Sequence, residues 1–346
     1  LGRVDQLRLP AHNDKGDLAN WAFTYVSEKG LDCIKTVRTP AGAKETLTYD
    51  STGHAFPNGS QREPLPRVQT HVIDPRHGQP QQSLHYSYPK DEHNFLGNGL
   101  NVAWAEDGLD NLYLHVGTYT YGSTEELKDG SKVLRSIERQ YNQFHLQVLE
   151  KTTRNGHVHS VTSEYDHDPL KYFADQVASC QLPRKLTTQW AHGARKRDEQ
   201  ELYEYDALGN LKKQTLKTGV VEDYAWYAAK GETGCPKDEE GFTRHLKSKT
   251  VTPAPVANTS APTLRSKYTY KTLSAVVGST HNHPWHAPDN ETEVEVEVKS
   301  GRETELQKTV YDYHPMATAS AAPAVKLRQG RLKSRTVTLN KQASTA

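Results

Sequence analysis

Short runs in which apolar or aromatic residues alternate with polar ones constrain this chain more than any other feature. In the segment 293–298, glutamate and valine alternate without a break, so all the valines fall on one side of an extended chain. A period of two is typical of β-strands, because successive side chains point to opposite faces of a sheet. We interpret the other alternating runs as strands too: 21–25, 84–88, 112–116, 119–121, 202–205, 224–227, 268–270 and 310–313.

Turn-forming sequences separate these runs. Asn-Gly or Asp-Gly pairs occur at 58–59, 107–108, 129–130 and 155–156. Such pairs tolerate the positive φ angles of tight hairpin turns. Strand runs joined by hairpin turns, with almost no helical periodicity, predict an all-β chain built as an antiparallel meander.

The aromatic runs also recur at regular spacing. Tyr25 and Tyr49 are 24 residues apart, and Tyr141 lies 20 residues after Tyr121 and 24 before Tyr165. The longer gaps elsewhere, of 37 to 44 residues, are interpreted as double units or as units with insertions. A period near 20 residues with two strands per period predicts a repeat architecture, in which neighbouring units cover each other's edges.

Composition selects between two interpretations of this polar chain. Hydrophobic residues make up 34% of the sequence and the mean hydropathy is -0.82, both low for a compact globule. Disordered chains are also polar, but they are poor in aromatic residues, whereas this chain has 18 tyrosines and 5 tryptophans. Tyrosine can pack its ring and keep its hydroxyl hydrated. We therefore favour a sheet with water on both faces.

Several classes of partner and site are disfavoured. The 43 basic and 42 acidic residues nearly cancel, so no general attraction to nucleic acid or to an anionic membrane is expected. No apolar run approaches the roughly 20 residues of a membrane helix. Cys33, Cys180 and Cys235 have neither a disulfide framework nor a zinc spacing. The chain begins at Leu1 and its only methionine is Met316, so we expect a piece of a longer polypeptide.

One segment carries a specific motif. It comprises Tyr203, Tyr205, Asp206, Gly209 and Leu211. In the expected geometry the aspartate accepts backbone N–H groups in the turn, the glycine takes the left-handed position, and the leucine opens the return strand. This pattern resembles the YD repeat of the Rhs family.

Weaker copies support the resemblance. One copy contains Tyr49, Asp50 and Gly53; others begin at Tyr165 and at Tyr141. In its general pattern of strand runs and turns, the resemblance extends over about residues 21–339. The region 94–156 also resembles the related C component of insecticidal toxin complexes.

The resemblance implies a strip of β-sheet that spirals into a hollow shell around a toxic C-terminal polypeptide. The function expected from it is structural, without catalysis, so no catalytic residue and no cofactor is assigned. The expected partners are the remainder of the parent chain, including a C-terminal toxin domain, and a delivery or chaperone protein. The expected location is outside the producing cell, by secretion or by delivery to a target cell.

The domain prediction follows the same pattern. Residues 1–20 are assigned as a connecting segment and 21–346 as the repeat region. Proline-rich stretches near 57–66, 253–262 and 315–323 are assigned as insertions between strands, because proline cannot donate to a central ladder.

Two alternatives remain open. His281, His283 and His286 form the densest set of metal ligands, and Asp289 or Glu291 lies close enough in sequence to join them. The favoured interpretation of this segment is a polar loop, and no metal is assigned. The second alternative is a carbohydrate- or protein-binding module at a cell surface, because exposed Trp and Tyr side chains can stack on sugar rings.

Overall fold

The computed structural model describes residues 3–10, 18–88, 93–100, 104–257, 261–275, 283–317 and 320–339. These residues divide into two compact units, 1–199 and 200–346. Each unit is a ladder of antiparallel strands, and the predicted all-β fold is confirmed.

In the described part of the first unit there are eleven complete strands. From β1 to β11, consecutive strands are paired and antiparallel. Their bounds are β1 Gln6–Pro10, β2 Leu18–Glu28, β3 Leu31–Arg38, β4 Lys44–His54, β5 Leu65–Asp74, β6 Gln82–Ser87, β7 Thr120–Asp129, β8 Lys132–Asn142, β9 Gln147–Arg154, β10 His157–Tyr165 and β11 Pro183–His192. Two short 3-10 segments are Asn111–Leu114 and Phe173–Asp175.

The second unit continues the same pattern. Strand β12, Arg195–Tyr205, spans the boundary between the units, and consecutive strands from β12 onwards are antiparallel. The remaining strands are β13 Leu211–Thr215, β14 Val221–Trp226, β15 Leu246–Thr252, β16 Thr263–Leu273, β17 Trp285–Val296, β18 Glu303–Tyr313 and β19 Leu332–Leu339. A single helical turn, α1, spans Pro323–Lys326.

The segment 112–116, predicted as a strand from its alternation, is not one. Asn111–Leu114 forms a 3-10 turn, with Asp110 as N-cap accepting the Leu112 N–H. Leu112 is fully buried and packs with Leu100 and Tyr119. The alternation of apolar residues here reflects packing in a small core, which overrides the strand pattern.

Little of the described chain is buried. Eleven hydrophobic residues fall in the buried class, whereas strands such as β19 are exposed along their whole length. Polar side chains then line both faces of many strands. Backbone ladders and cross-strand pairs must therefore supply much of the stability that a core supplies in a globule.

The predicted connecting segment and the three proline-rich stretches have the following positions in the structure. Within 1–20, residues 6–10 form β1 and pair with β2. The proline-rich stretch 57–66 lies mostly between β4 and β5, and its last two residues open β5. The stretch 253–262 lies between β15 and β16, and 315–323 lies between β18 and β19; residues 258–260 and 318–319 are outside the described part of the chain.

Candidate functional site

Every even-numbered strand from β2 to β18 has an aromatic residue between its midpoint and the position directly after its last residue. In all but β6 a β-bulge in the pairing with the following strand comes immediately before this residue. A bulge adds one residue to one strand and increases the local twist. The residues are Tyr25, Tyr49, Tyr88, Tyr141, Tyr165, Tyr205, Trp226, Tyr270 and Tyr313.

Seven of these side chains donate a hydrogen bond to a backbone carbonyl on, or next to, the preceding strand. Tyr49 Oη reaches the Ile34 carbonyl at 2.7 Å, and Trp226 Nε1 reaches that of Leu211 at 2.8 Å. We call this set the aromatic clasps: Tyr25, Tyr49, Tyr88, Tyr165, Trp226, Tyr270 and Tyr313. Each clasp ties a strand back to its predecessor, and in all of them except Tyr88 this happens where the pairing with the following strand is interrupted by a bulge.

The motif segment forms a closed turn between β12 and β13. Asp206 Oδ1 accepts the N–H groups of Leu208 at 2.8 Å and Asn210 at 2.9 Å. Gly209 has a φ of 86°, and Leu211 is the first residue of β13. Burial acts to raise the pKa of the Asp206 carboxyl, but these hydrogen bonds outweigh it, and the pKa lies below its ordinary value.

The two tyrosines before this turn have different positions. Tyr205 lies beside the bulge in the pairing of β12 with β13, whereas Tyr203 Oη donates to Glu201 Oε2 at 2.7 Å. Burial and the adjacent Glu201 carboxylate raise the pKa of Tyr203 to about 12, so the phenol stays protonated.

The copy at Tyr49, Asp50 and Gly53 has a different backbone. Asp50 Oδ1 accepts the Thr52 N–H at 2.7 Å, but β4 continues to His54 instead of turning back. Gly53 has a φ of 70°, and a Cβ there would lie 2.6 Å from the Leu65 carbonyl oxygen. This glycine is required by both its conformation and the close approach of β5.

The Tyr141 element reproduces the Asp206 turn with different residues. Asn142 Oδ1 accepts the N–H groups of Phe144 and Leu146, and His145 occupies the left-handed position with a φ of 60°. His145 also joins Asp110 Oδ2 at 2.6 Å and the Tyr121 hydroxyl at 2.7 Å. The turn between β8 and β9 is thereby fixed to the loop that contains Asp110.

The three histidines that formed the open metal alternative can be followed only in part. His281 lies outside the described residues, and His283 lies beside a groove that Asp238 and Arg244 also line. His286, in β17, is grouped with Cys235 and His245; one ligand atom from each lies within 4.8 Å of the others.

The two carboxylates expected near the histidines have other partners. Asp289 pairs with Lys271 at 3.0 Å, and Glu291 accepts the Tyr311 hydroxyl at 3.1 Å. Sequence reasoning missed Cys235 and His245 because they come from a separate segment with no short ligand spacing. No local sequence signal could have found them.

An exposed aromatic surface occurs on β10 and β11. Trp190 is 38% exposed, the Arg197 guanidinium lies 5.6 Å from its ring centroid, and His159 packs beside it at 5.5 Å. His157 and His192 stack with centroids 4.0 Å apart. This surface is a shallow groove of aromatic and basic side chains.

Within the described residues, no helix has both the length and the apolar character needed to span a bilayer.

Comparisons with known proteins identify no family for this chain. No family model matches the chain, and no curated protein matches it. A chain in the crystal structure of TcdB2-TccC3-Cdc42 aligns with 94% of this chain at 10% identity and a TM-score of 0.31. A chain in the crystal structure of TcdB2-TccC3-TEV aligns with 94% at 9% identity and a TM-score of 0.30. This chain spans only 15% and 16% of those chains, and likeness at this level carries no argument about fold or function.

Proposed function

We propose that this chain is a structural scaffold of the Rhs/YD-repeat type, which forms part of a wall around a toxic C-terminal polypeptide of its parent. The single observation that carries the proposal is the set of aromatic clasps. They occur on seven of the nine even-numbered strands from β2 to β18, and so share the two-strand period on which the YD motif at Tyr205 also falls.

The clasps suit a wall because they replace a core. With few buried apolar side chains, a long hairpin ladder loses the burial that normally stabilises a sheet. A tyrosine hydroxyl bound to a carbonyl contributes about 0.5–1.5 kcal/mol. Seven such bonds distributed along the chain support an extended sheet that does not need a second layer.

The end strands favour incorporation into a longer sheet. Among the described residues, β1 pairs only with β2, and β19 pairs only with β18. Unpaired strand edges are sites for further pairing. In the proposal, other parts of the parent chain or a chaperone protein pair with these edges. Such a wall acts by steric confinement and needs no catalytic residue, and its cargo is secreted or delivered to a target cell.

Limited proteolysis of the full-length parent tests the proposal. The C-terminal polypeptide should resist protease in the native state and become accessible only when the region of this chain opens in denaturant. The double variant Tyr49→Phe and Tyr165→Phe removes two clasp hydroxyls but keeps both rings, so accessibility should begin at a lower denaturant concentration. Tyr172→Phe, at an exposed tyrosine outside the clasps, is the matched control.

A C-terminal polypeptide that is cut freely in the native parent would contradict confinement. An unchanged denaturant midpoint in the double variant would contradict the role of the clasps.

A binding module is the second candidate, favoured by the groove beside Trp190. Its aromatic and basic side chains suit an acidic carbohydrate, because rings stack on sugar faces and Arg197 supplies a cation. On this function, the chain should bind glycans carrying carboxylate or sulfate groups on an array, and Trp190→Ala should remove the signal while Tyr172→Ala retains it. No signal above background on such an array would eliminate this candidate.

A further inference from the structure

A cysteine and two histidines converge in the second unit. Cys235 lies in the loop after β14 and is 3% exposed; His245 immediately precedes β15, and His286 is the second residue of β17. Their ligand atoms lie within 4.8 Å of one another. Three separate segments thus direct thiol and imidazole groups to one point.

The loop that carries Cys235 is closely fixed to the sheet. The Tyr227 hydroxyl donates to the Tyr268 carbonyl at 2.8 Å, and the Tyr270 N–H donates to the Gly234 carbonyl at 2.8 Å. A Cβ at Gly234 would lie 2.4 Å from the Tyr227 hydroxyl oxygen, so only glycine fits before Cys235. The cysteine is therefore held in place by its backbone before any ligand binds.

The approach to His245 is fixed by a second turn. Asp238, 2% exposed, accepts the N–H groups of Glu240 and Phe242 and pairs with Arg244 at 2.7 Å. Its oxygens are already bound by the chain, so Asp238 positions His245 instead of serving as a fourth ligand.

We propose that Cys235, His245 and His286 bind one zinc ion. Thiolate and imidazole are the ligands that zinc prefers, and a tetrahedral centre needs Zn–S near 2.3 Å and Zn–N near 2.0–2.1 Å. Those lengths separate the ligand atoms by roughly 3.3–3.6 Å. The present spread of up to 4.8 Å closes to that distance by small side-chain rotations.

The fourth position faces the groove beside His283 and Trp285 and is assigned to solvent. The ion would join the loop of Cys235 to β17, two segments about 50 residues apart in the sequence, and this role does not depend on the wall function.

The competing explanation is packing alone. His245 makes an edge contact with the Tyr270 ring, with centroids 4.7 Å apart, and buried cysteines are common in cores. Packing explains the burial of Cys235 but requires no binding of a metal ion.

Cobalt titration of the 346-residue chain separates the two explanations. Co²⁺ should bind at one equivalent per chain with a thiolate-to-cobalt charge-transfer band, and Zn²⁺ should displace it. Cys235→Ser should abolish the band, and His286→Gln should weaken Co²⁺ binding by at least about 100-fold. The matched controls are Cys180→Ser, a buried cysteine of the first unit, and His283→Gln, on the same groove. Both controls should bind as the parent does.

Cys235→Ser and His286→Gln could lose Co²⁺ binding because they misfold, so His286→Cys is a variant expected to keep the site. Because it replaces one ligand with another, it should retain one equivalent of Co²⁺ and show a stronger charge-transfer band from two thiolates. The proposal is overturned if the parent chain binds no stoichiometric Co²⁺. It is also overturned if Cys235→Ser binds as the parent does, or if His286→Cys, with a native near-ultraviolet circular dichroism spectrum, shows no increase in the band.

Discussion

Two turns of the same backbone design sit in very different surroundings. In the second unit the turn after Tyr205 is closed by the Asp206 carboxylate, and Gly209 occupies its left-handed position. Leu208, at the tip of this turn, is 65% exposed. In the first unit the turn after Tyr141 is closed by Asn142, which is 4% exposed, and its left-handed residue is His145.

The difference shows what each residue type contributes. A charged acceptor suits the exposed turn, because water still solvates the carboxylate. A neutral amide suits the buried turn, where an unpaired charge would be costly. Glycine removes backbone strain, whereas His145 tolerates it and gains contacts with Asp110 and Tyr121. The turn after Tyr205 is thus self-contained, whereas the turn after Tyr141 is joined to its surroundings.

The largest effect is expected from Asn142→Ala. It leaves the Phe144 and Leu146 N–H groups without their acceptor in a buried turn, at a cost of about 2–3 kcal/mol in the free energy of unfolding. The matched change Asp206→Ala in the exposed turn should cost about 1 kcal/mol. Urea unfolding measures both, and equal costs would contradict the comparison.

A smaller effect is expected at the left-handed position. Gly209→Ala forces a Cβ into a φ of 86° and should cost about 1–2 kcal/mol. His145→Gly relieves strain but loses two hydrogen bonds, so its net cost should be below about 1 kcal/mol. Its local effect should be faster amide exchange at Leu112 and Tyr113, measured by hydrogen exchange. Unchanged exchange there would show that His145 does not hold the loop.

The smallest effect is a difference in acid sensitivity. The pKa of Asp206 is lower in the folded chain than its ordinary value of 3.8. The stability it contributes is therefore present above pH 3.8 and is lost as the pH falls through the lower folded pKa. Asp206→Asn should flatten the stability profile in that acidic range, and a profile parallel to the parent's would contradict the assignment.

The sequence predicts the hairpin ladder well because strand alternation and turn glycines are local signals. The Asp206 turn illustrates this, since acceptor, glycine and return strand lie within six residues. The run at 112–116 fails for the opposite reason: burial against Tyr119 selects a 3-10 turn that no local pattern encodes.

The convergence of Cys235 with His245 and His286 also escapes prediction, because register between distant strands decides it. His286 is placed by its pairing with Thr272, and that pairing follows a bulge before Tyr270. A shift of one residue would turn the imidazole to the opposite face.

The aromatic clasps have a consequence for how such a chain can lengthen. Each clasp joins a strand only to its immediate predecessor, so the smallest self-sufficient increment is a pair of strands. Duplicating or deleting one such pair preserves the orientation of every remaining hairpin, whereas an odd number would leave a tyrosine without its carbonyl. We expect natural length variation in chains of this kind to proceed in steps of two strands.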